Sequence, residues 1–241
     1  MLNLLQSSFP TLEDLLHPEL MSAIRQLGRR FRYGNYELIQ IRGGAVTGFS
    51  IVETGQVIAG TEVLDGSFHT AALLNAGDSF GETTLFAGLS GLQNLRAIGE
   101  TEILQIPTRR FLDLFNREPD IGRALLTIAL RRIHFMMEFI DGQRRWPLAV
   151  RIAHMLLTSV EDRASSHRHT IHCRQEDLAE LLGVSRVAVS KSLRLLSDGG
   201  WLTMRYGSLE LNDIQGMLNW LEESHQVVPI APDEGWRFTG R

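Results

Sequence analysis

Basic and polar side chains recur on one side of a short segment near the end of the chain. Arg186, Lys191 and Arg194 share a face with Ser190 if residues 186–196 form a helix. Arginine and lysine donate hydrogen bonds to phosphate oxygens and to the N7 and O6 atoms of guanine in the major groove. The spacing therefore predicts a helix that reads double-stranded DNA.

The residues around this segment have the pattern of a helix-turn-helix. The sequence predicts a first helix over 175–182, a glycine cap at Gly183, and a second helix over 186–196 with Ser185 as its N-cap. Residues 202–212 then form a predicted hairpin, a wing beside the two helices. A purely structural pair of helices with a solvated basic face is the alternative, but the agreement of all these signals favours a DNA-binding module.

The candidate DNA contacts lie on the second helix, at its cap or at the start of the first helix: Arg174, Ser185, Arg186, Val187, Ser190, Lys191 and Arg194. The charge distribution supports this interpretation. Residues 144–212 carry 10 basic and 7 acidic residues, whereas the whole chain has a net charge of −4. A basic segment inside an acidic protein indicates a module that binds a polyanion.

The rest of the chain must position this module. Helical spacing of leucine and isoleucine predicts helix within residues 1–35, and short apolar runs separated by glycine turns predict a β barrel or sandwich over 37–107. A long helix is predicted over 109–142. Five apolar residues on it step alternately by four and three positions, which makes a seam of Leu126, Leu130, Ile133, Met137 and Ile140. This heptad pattern is typical of a two-stranded coiled coil and predicts a homodimer; an ordinary buried helix is the alternative.

Several motifs in both halves of the chain resemble those of the Crp/Fnr family of transcription regulators. In the β region they are residues 41–44, 51–57 and 77–82; in the C-terminal part they are residues 151–153 and 174–196. The resemblance covers about residues 10–212. It implies a double-stranded DNA operator, a homodimer, RNA polymerase as a partner, and an unknown small-molecule effector. Val187 stands where the cyclic-AMP receptor type has glutamate, so the preferred half-site should differ.

The resemblance also implies the fold class and the domain order. The fold is α+β, with an N-terminal β-roll of the cyclic-nucleotide-binding type, a long dimerisation helix and a C-terminal winged helix-turn-helix. Residues 1–108 would form the N-terminal helix and β-roll sensor domain, and 109–142 the dimerisation helix. Residues 143–225 would form the DNA-binding domain, followed by a flexible tail over 226–241.

The signal sensed by the β-roll is less clearly encoded. In cyclic-nucleotide-binding members a Gly-Glu pair is followed about ten residues later by an arginine that binds the cyclic phosphate. Gly81 and Glu82 are present, but residues 90–94 contain no basic residue and Arg96 comes several positions late. Cyclic AMP is therefore not expected. The candidate pocket residues are Phe80, Gly81, Glu82, Leu92, Arg96, Met136 and Met137. The apolar side chains Phe80, Leu92, Met136 and Met137, together with Phe86, suit an apolar ligand and equally suit a filled core without one.

Other cofactors are limited by composition. The single cysteine, Cys173, excludes a Cys-ligated iron–sulfur cluster within one chain. His69 and His134 are candidate haem ligands, but lone histidines are more often structural, so neither haem nor a metal site is expected. Cys173 is placed at the N-cap of the first helix of the helix-turn-helix, as a buried and inert thiol; a redox role is the alternative.

Other function classes find little support. We find no nucleophile elbow, P-loop, HExxH or paired-carboxylate pattern, so no catalytic residue is predicted. No run of about 18 apolar residues predicts a membrane span, and the single cysteine fits a reducing cytoplasm. The leading hypothesis is a dimeric DNA-binding transcription regulator. An effector-independent regulator and a cyclic-nucleotide-binding regulator are the alternatives.

Overall fold

A computed structural model of the chain describes residues 9–44, 48–62, 68–160, 169–171 and 173–225. The predicted tail, 226–241, lies outside the described residues. In chain order, the helices and strands are α1 (Leu12–Leu15), α2 (Pro18–Leu27), β1 (Arg29–Tyr33), β2 (Leu38–Gln40), β3 (Gly48–Glu62), β4 (Phe68–Asn75), β5 (Ser79–Phe80), α3 (Glu82–Ala87), β6 (Asn94–Pro107), α4 (Thr108–Phe115), α5 (Pro119–Arg145), α6 (Leu148–Thr158), β7 (His169–Ile171), α7 (Gln175–Leu182), α8 (Arg186–Asp198), β8 (Leu202–Arg205), β9 (Ser208–Leu211) and α9 (Ile214–His225).

The N-terminal part is an antiparallel sheet built on two long strands, β3 and β6, which pair from Gly48 opposite Pro107 to Gly60 opposite Asn94. The strand order is β1-β6-β3-β4, with β2 also paired to β6 and β5 to β3. This confirms the predicted β region. The helical prediction for residues 1–35 is only partly right, because Arg29–Tyr33 is a strand. Its alternating basic and aromatic side chains suit an edge strand, and its backbone pairs with β6 from Gln105 to Thr101.

Two clusters of buried side chains stabilise this sheet. One joins the sheet to the first helices, and Phe49 of β3 stacks on Phe111 of α4 with ring centroids 4.1 Å apart. That cluster contains Leu12, Leu16, Met21, Ile24, Phe49, Ile51, Leu104, Ile106, Phe111, Leu114, Ile121, Ala124 and Ile128. The other fills the interior of the roll with Val52, Val57, Ala59, Leu74, Leu95 and Ile103.

The single helix predicted over 109–142 begins within one residue of the observed start, but it is interrupted in the middle and its predicted end is too early. Two helices, α4 and α5, replace it, because Pro119 cannot donate the backbone hydrogen bond of a continuous helix and instead takes the first position of α5. The helix also does not break at Gly142 but continues to Arg145. Gly142 is buried under Trp146, where an added Cβ would lie 2.5 Å from the indole, so this glycine permits close packing.

The chain divides into two compact units, and the division falls inside α5 between Arg131 and Arg132. The predicted borders at 108/109 and 142/143 therefore differ from the structural one. The reason is that α5 contributes to both cores: Ile121 and Ile128 are buried in the first unit, and Phe139 packs against the core of the second.

The second unit contains α6 to α9 and a small sheet in the order β7-β9-β8. Helix α7 has the predicted bounds, and α8 extends two residues beyond the predicted end, to Asp198. Strand β7 was not predicted; its three residues pair with β9, so the wing hairpin is part of a three-stranded sheet. The core comprises Ala149, Val150, Ile152, Ala153, Met155, Leu156, Leu157, Val160, Ile171, Cys173, Leu178, Ala179, Leu182, Val189, Leu193, Leu196, Leu202, Leu209, Leu211, Ile214, Met217 and Leu221.

The turn between α7 and α8 depends on Gly183, as predicted. Its φ is +64°, in the left-handed region that residues with a Cβ avoid. Its position is open, since an added Cβ would meet nothing within 4 Å. The cost of a side chain at residue 183 therefore comes from backbone strain and not from a clash.

Replacing Gly183 isolates this strain. Gly183→Ala should lower the free energy of unfolding of the second unit by about 1–2 kcal/mol, the cost of a left-handed residue with a Cβ. Gly183→Asn should cost less, because asparagine tolerates this conformation. Urea titration followed by tryptophan fluorescence reports on this part of the chain, since the tryptophans are residues 146, 201, 220 and 236. Equal stability of the alanine variant and the wild type would contradict the left-handed turn.

Candidate DNA interface and effector pocket

Helix α8 has one buried face and one exposed face. Val189, Leu193 and Leu196 are fully buried in the core of the second unit. At about 100° per residue, the side chains from Arg186 to Arg194 that were predicted to contact DNA fall within an arc of about 140° on the other side. Arg186, Val187, Lys191 and Arg194 are exposed there, and Ser190 is half-buried. The structure thus brings the predicted contacts of α8 together on one surface.

Ser185 begins the helix. Its Oγ accepts a hydrogen bond from the backbone N–H of Ala188 at 3.2 Å, which confirms the predicted N-cap. This bond fixes the first turn of α8, and the next residue, Arg186, is therefore held at the exposed end of the helix. The Ser185 hydroxyl still has a hydrogen to donate.

The cations of this surface differ in their partners. Arg186 forms an ion pair with Glu176 of α7, with 3.1 Å between Nε and Oε1. Arg174 lies 3.7 Å from Asp177, one turn along its own helix. Within the part of the chain that the structure describes, Lys191 and Arg194 form no ion pair. The sequence did not predict Glu176 as the partner of Arg186, because that prediction requires knowing which residue of α7 faces the start of α8.

Arg174, and not Cys173 as predicted, is the N-cap residue of α7. Its backbone N–H donates to the Asp177 carboxylate at 3.0 Å, while its side chain is exposed. Cys173 precedes it and is buried in the core. Burial, reinforced by the Asp177 carboxylate, raises the pKa of the Cys173 thiol to about 12. Such a thiol carries almost no thiolate at neutral pH, which favours the predicted inert cysteine.

The wing ends in a tyrosine that the sequence reasoning did not single out. Tyr206 is fully exposed at the turn between β8 and β9. Next to it, Arg205 pairs with Glu210 of the opposite strand at 3.2 Å. The sequence signal for this exposed residue is a tyrosine followed by glycine in a two-residue hairpin turn. A large aromatic side chain at such a turn has few neighbours to pack against and is therefore expected to be exposed.

Three of the effector-pocket candidates are consecutive. Phe80 ends β5 and packs against the cluster inside the roll. Gly81, with φ at +102°, is the N-cap of α3, and Glu82 is the first residue of that helix. Glu82 is half-buried. These three residues therefore form a turn between β5 and α3, at the edge of the roll interior.

Two further candidates do not join this turn in the way the sequence suggested. Leu92 is 75% exposed, just before β6. Arg96 lies on β6 between Leu95 and Ala97, which are buried. Because side chains alternate along a strand, Arg96 points to the opposite face. There it pairs with Glu62 and donates to the carbonyl of Tyr36 at 3.1 Å, so its charge is already engaged.

The remaining candidates lie on α5 and in the second unit. Met136 and Met137 are exposed, as are the other four residues of the predicted seam. The exposed fractions of the five seam residues range from 52% for Ile133 and Ile140 to 65% for Met137. Among the described residues, none covers this stripe of α5.

The histidines predicted as unlikely haem ligands belong to different units. His69 is an exposed residue of β4, and His134 is an exposed residue of α5, 3.9 Å from the Glu138 carboxylate. Among the described residues, no group of three histidine, cysteine, aspartate or glutamate side chains is placed to hold a metal ion. That no haem or metal cofactor is bound stays a prediction from the sequence.

A helix-turn-helix with an exposed basic face and a wing, following a roll-shaped antiparallel sheet and a long helix, defines a DNA-binding regulator with a sensor-type domain. Two family models match the chain. The cyclic nucleotide-binding domain matches residues 30–118, and the Crp-like helix-turn-helix domain matches residues 150–220.

Individual proteins agree with this class. A cyclic AMP receptor protein from Thermus thermophilus is 26% identical over 204 residues, covering 85% of this chain and 93% of that protein. A CooA variant from Carboxydothermus hydrogenoformans has the same fold, with 20% identity, a TM-score of 0.65, and 81% and 88% of the two chains covered. The c-di-GMP responsive global regulator CLP of Xanthomonas campestris is 21% identical, with a TM-score of 0.61 and 81% and 99% covered.

The chain belongs to the Crp/Fnr family of transcription regulators, which confirms the resemblance and the predicted fold class. Its members bind DNA and are not enzymes. None of the helices in the described ranges is long and apolar enough to cross a membrane.

Proposed function

We propose that the protein is a homodimeric transcription regulator that reads an inverted-repeat operator through α8, while its β-roll responds to a signal other than cyclic AMP. The observation that carries the proposal is the exposed face of α8, where Arg186, Lys191 and Arg194 stand beside Val187. A face of this width enters the major groove, where arginine and lysine bond to guanine and to phosphates. RNA polymerase is the expected protein partner of such a regulator.

The homodimer follows from the uncovered seam of α5. From Leu126 to Ile140 the five side chains extend over about 21 Å of one helix face, at a rise of 1.5 Å per residue. All five are more than half exposed in the single chain. A continuous apolar stripe of this length marks an interaction surface, and the heptad spacing fits the same seam of a second copy.

Charges in the seam should abolish the dimer. Leu130→Glu with Met137→Glu should give a monomer that loses operator binding, because two carboxylates cannot be buried in an apolar seam. Light scattering gives the mass, and gel shifts give the affinity. The control is Leu130→Met with Met137→Leu, which keeps the seam apolar and should stay dimeric. A dimer mass for the glutamate variant would contradict the assignment of this seam.

The signal is proposed from the charges of the β-roll. A buried cyclic phosphate needs a cation, yet Leu92 and its neighbours supply none, and Arg96 is paired with Glu62 on the face opposite to Leu95 and Ala97. The relatives named above carry different ligands in their names, cyclic AMP and c-di-GMP, so one fold serves more than one signal. The residues of the Phe80–Glu82 turn are compatible with an apolar ligand. They are equally compatible with a regulator that binds no effector.

Calorimetry tests the exclusion of cyclic nucleotides. Titration of the dimer with cyclic AMP and with cyclic GMP should show no binding in the micromolar range, because the phosphate would lack its arginine. A titration of the same sample with operator DNA shows that the protein is competent. A clear micromolar isotherm for either nucleotide would support the cyclic-nucleotide-binding alternative and refute the proposal.

The operator follows from two-fold symmetry. The two α8 helices of a dimer enter successive major grooves on one side of DNA when they lie about 34 Å apart, so the half-sites should be centred about 10 base pairs apart. Val187 lies one position after Arg186 and is exposed, so it can contact a thymine methyl group but cannot bond to cytosine N4. The half-site should therefore combine a guanine contact with a thymine contact.

Gel shifts with a randomised operator library at two salt concentrations test the reading residues. Arg186→Ala should cost about 1–3 kcal/mol per half-site and relax the preference at one G·C pair. Arg174→Ala should weaken binding to all DNA sequences alike. It should also reduce the slope of log affinity against log salt concentration by about one per phosphate contact. If Arg186→Ala kept both the affinity and the preferred sequence, α8 would not be the recognition helix.

A further inference from the structure

The ion pair between Arg186 and Glu176 joins the two helices of the helix-turn-helix. Glu176 lies in the first turn of α7 and Arg186 is the first residue of α8. Their atoms Oε1 and Nε are 3.1 Å apart, although the two side chains are 56% and 67% exposed. The pair therefore lies on the surface that faces DNA in the proposed function.

The ion pair involves Nε of Arg186 and leaves its two Nη atoms available to bind a base. A guanidinium group carries five N–H donors in a planar fork, of which one is on Nε and four are on the two Nη atoms. The nearest Glu176 carboxylate oxygen lies 3.1 Å from Nε, on the inner side of this fork. The two Nη atoms keep the end of the fork, and that end can donate two parallel hydrogen bonds to guanine O6 and N7.

The other cations of the surface are arranged differently. Arg174 pairs within its own helix, with Asp177 three positions along. Within the described residues, Lys191 and Arg194 have no carboxylate partner. A carboxylate from the neighbouring helix thus holds the arginine in the first turn of α8, the turn whose side chains reach base edges.

We infer that Glu176 is a positioning residue that sets the specificity of Arg186 for guanine; the inference rests on the proposed function, in which Arg186 reads a base. Holding the guanidinium plane reduces the side-chain freedom that is lost on binding guanine. The same carboxylate repels phosphates, so it weakens binding to every DNA sequence alike. The first effect raises the ratio of operator affinity to random-sequence affinity, whereas the second lowers both affinities and leaves their ratio unchanged.

A double-mutant cycle measures this role in the full-length protein. The affinities of wild type, Glu176→Ala, Arg186→Ala and the double variant are measured for the selected operator, for the same operator with the Arg186-dependent G·C pair exchanged, and for random DNA. Glu176→Ala should reduce discrimination at that pair about threefold per half-site, the size of an exposed ion pair. In the Arg186→Ala background the same substitution should leave discrimination unchanged.

Two further variants separate the positioning of Arg186 from the general repulsion between a negative side chain and DNA. Glu176→Gln removes the charge but keeps a side-chain oxygen near Nε of Arg186, and it should lose less discrimination than the alanine variant. Glu180→Gln removes one charge from an exposed position one turn further along α7. It should raise the affinity for all three DNAs by the same factor and leave discrimination unchanged.

The outcomes distinguish the two proposals. If Arg186→Ala reduces discrimination and Glu176→Ala does not, the positioning role is overturned and the recognition helix stands. If Glu176→Ala increases discrimination, Glu176 competes with guanine for Arg186, which also overturns the inference. If Arg186→Ala itself leaves discrimination unchanged, the proposed function of α8 fails and the positioning role fails with it.

Discussion

The packing of α8 into the core of the second unit determines which residues can meet DNA. Val189, Leu193 and Leu196 are buried, and they pack in one cluster with Leu178 and Leu182 of α7. A helix with one face fixed in this way has no freedom to rotate, so the polar face is exposed in one orientation. The left-handed Gly183 sets the turn that brings α7 and α8 together. The N-cap at Ser185, the ion pair between Arg186 and Glu176 and the exposure of Lys191 all depend on that packing.

A second constraint acts on α5. Its buried residues serve the cores of both units, yet it keeps a continuous apolar stripe outside. A single chain has nothing in its own described fold that covers this stripe. A two-fold partner would cover it and would also place two copies of α8 in a fixed relation, which is what an inverted repeat requires. The dimer and the operator geometry are therefore parts of one proposal.

Local signals predicted the DNA-binding module well. The bounds of α7, the cap at Ser185 and the turn at Gly183 depend on residues a few positions apart, and the sequence contains them directly. The two strands that the sequence did not predict, β1 and β7, depend on contacts distant in sequence. Strand β1 is stabilised by pairing with β6, about 70 residues away, and β7 by pairing with β9.

Two errors on α5 have local causes instead. The sequence predicts the end of the helix at residue 142, where glycine is a poor helix former, but in the structure Trp146 packs over Gly142 and the helix continues. Pro119 is a local signal for the start of a new helix, and the prediction of one continuous helix does not use it. In the site, the predicted exposed face of α8 was correct. The ion pairs of Arg186 with Glu176 and of Arg96 with Glu62 could not be predicted, because the partners come from different helices or strands.

Dimethyl sulfate protection on a selected operator detects the proposed contact of Arg186 itself, because the reagent methylates guanine N7 in the major groove, the atom that Arg186 is proposed to bind. We expect protection of a guanine in each half-site, in two symmetric positions whose half-sites are centred about 10 base pairs apart. Loss of both protections in Arg186→Ala would assign them to that side chain. Bound protein that leaves guanine N7 fully reactive, or that protects only one side of the operator, would contradict a dimer reading the major groove through α8.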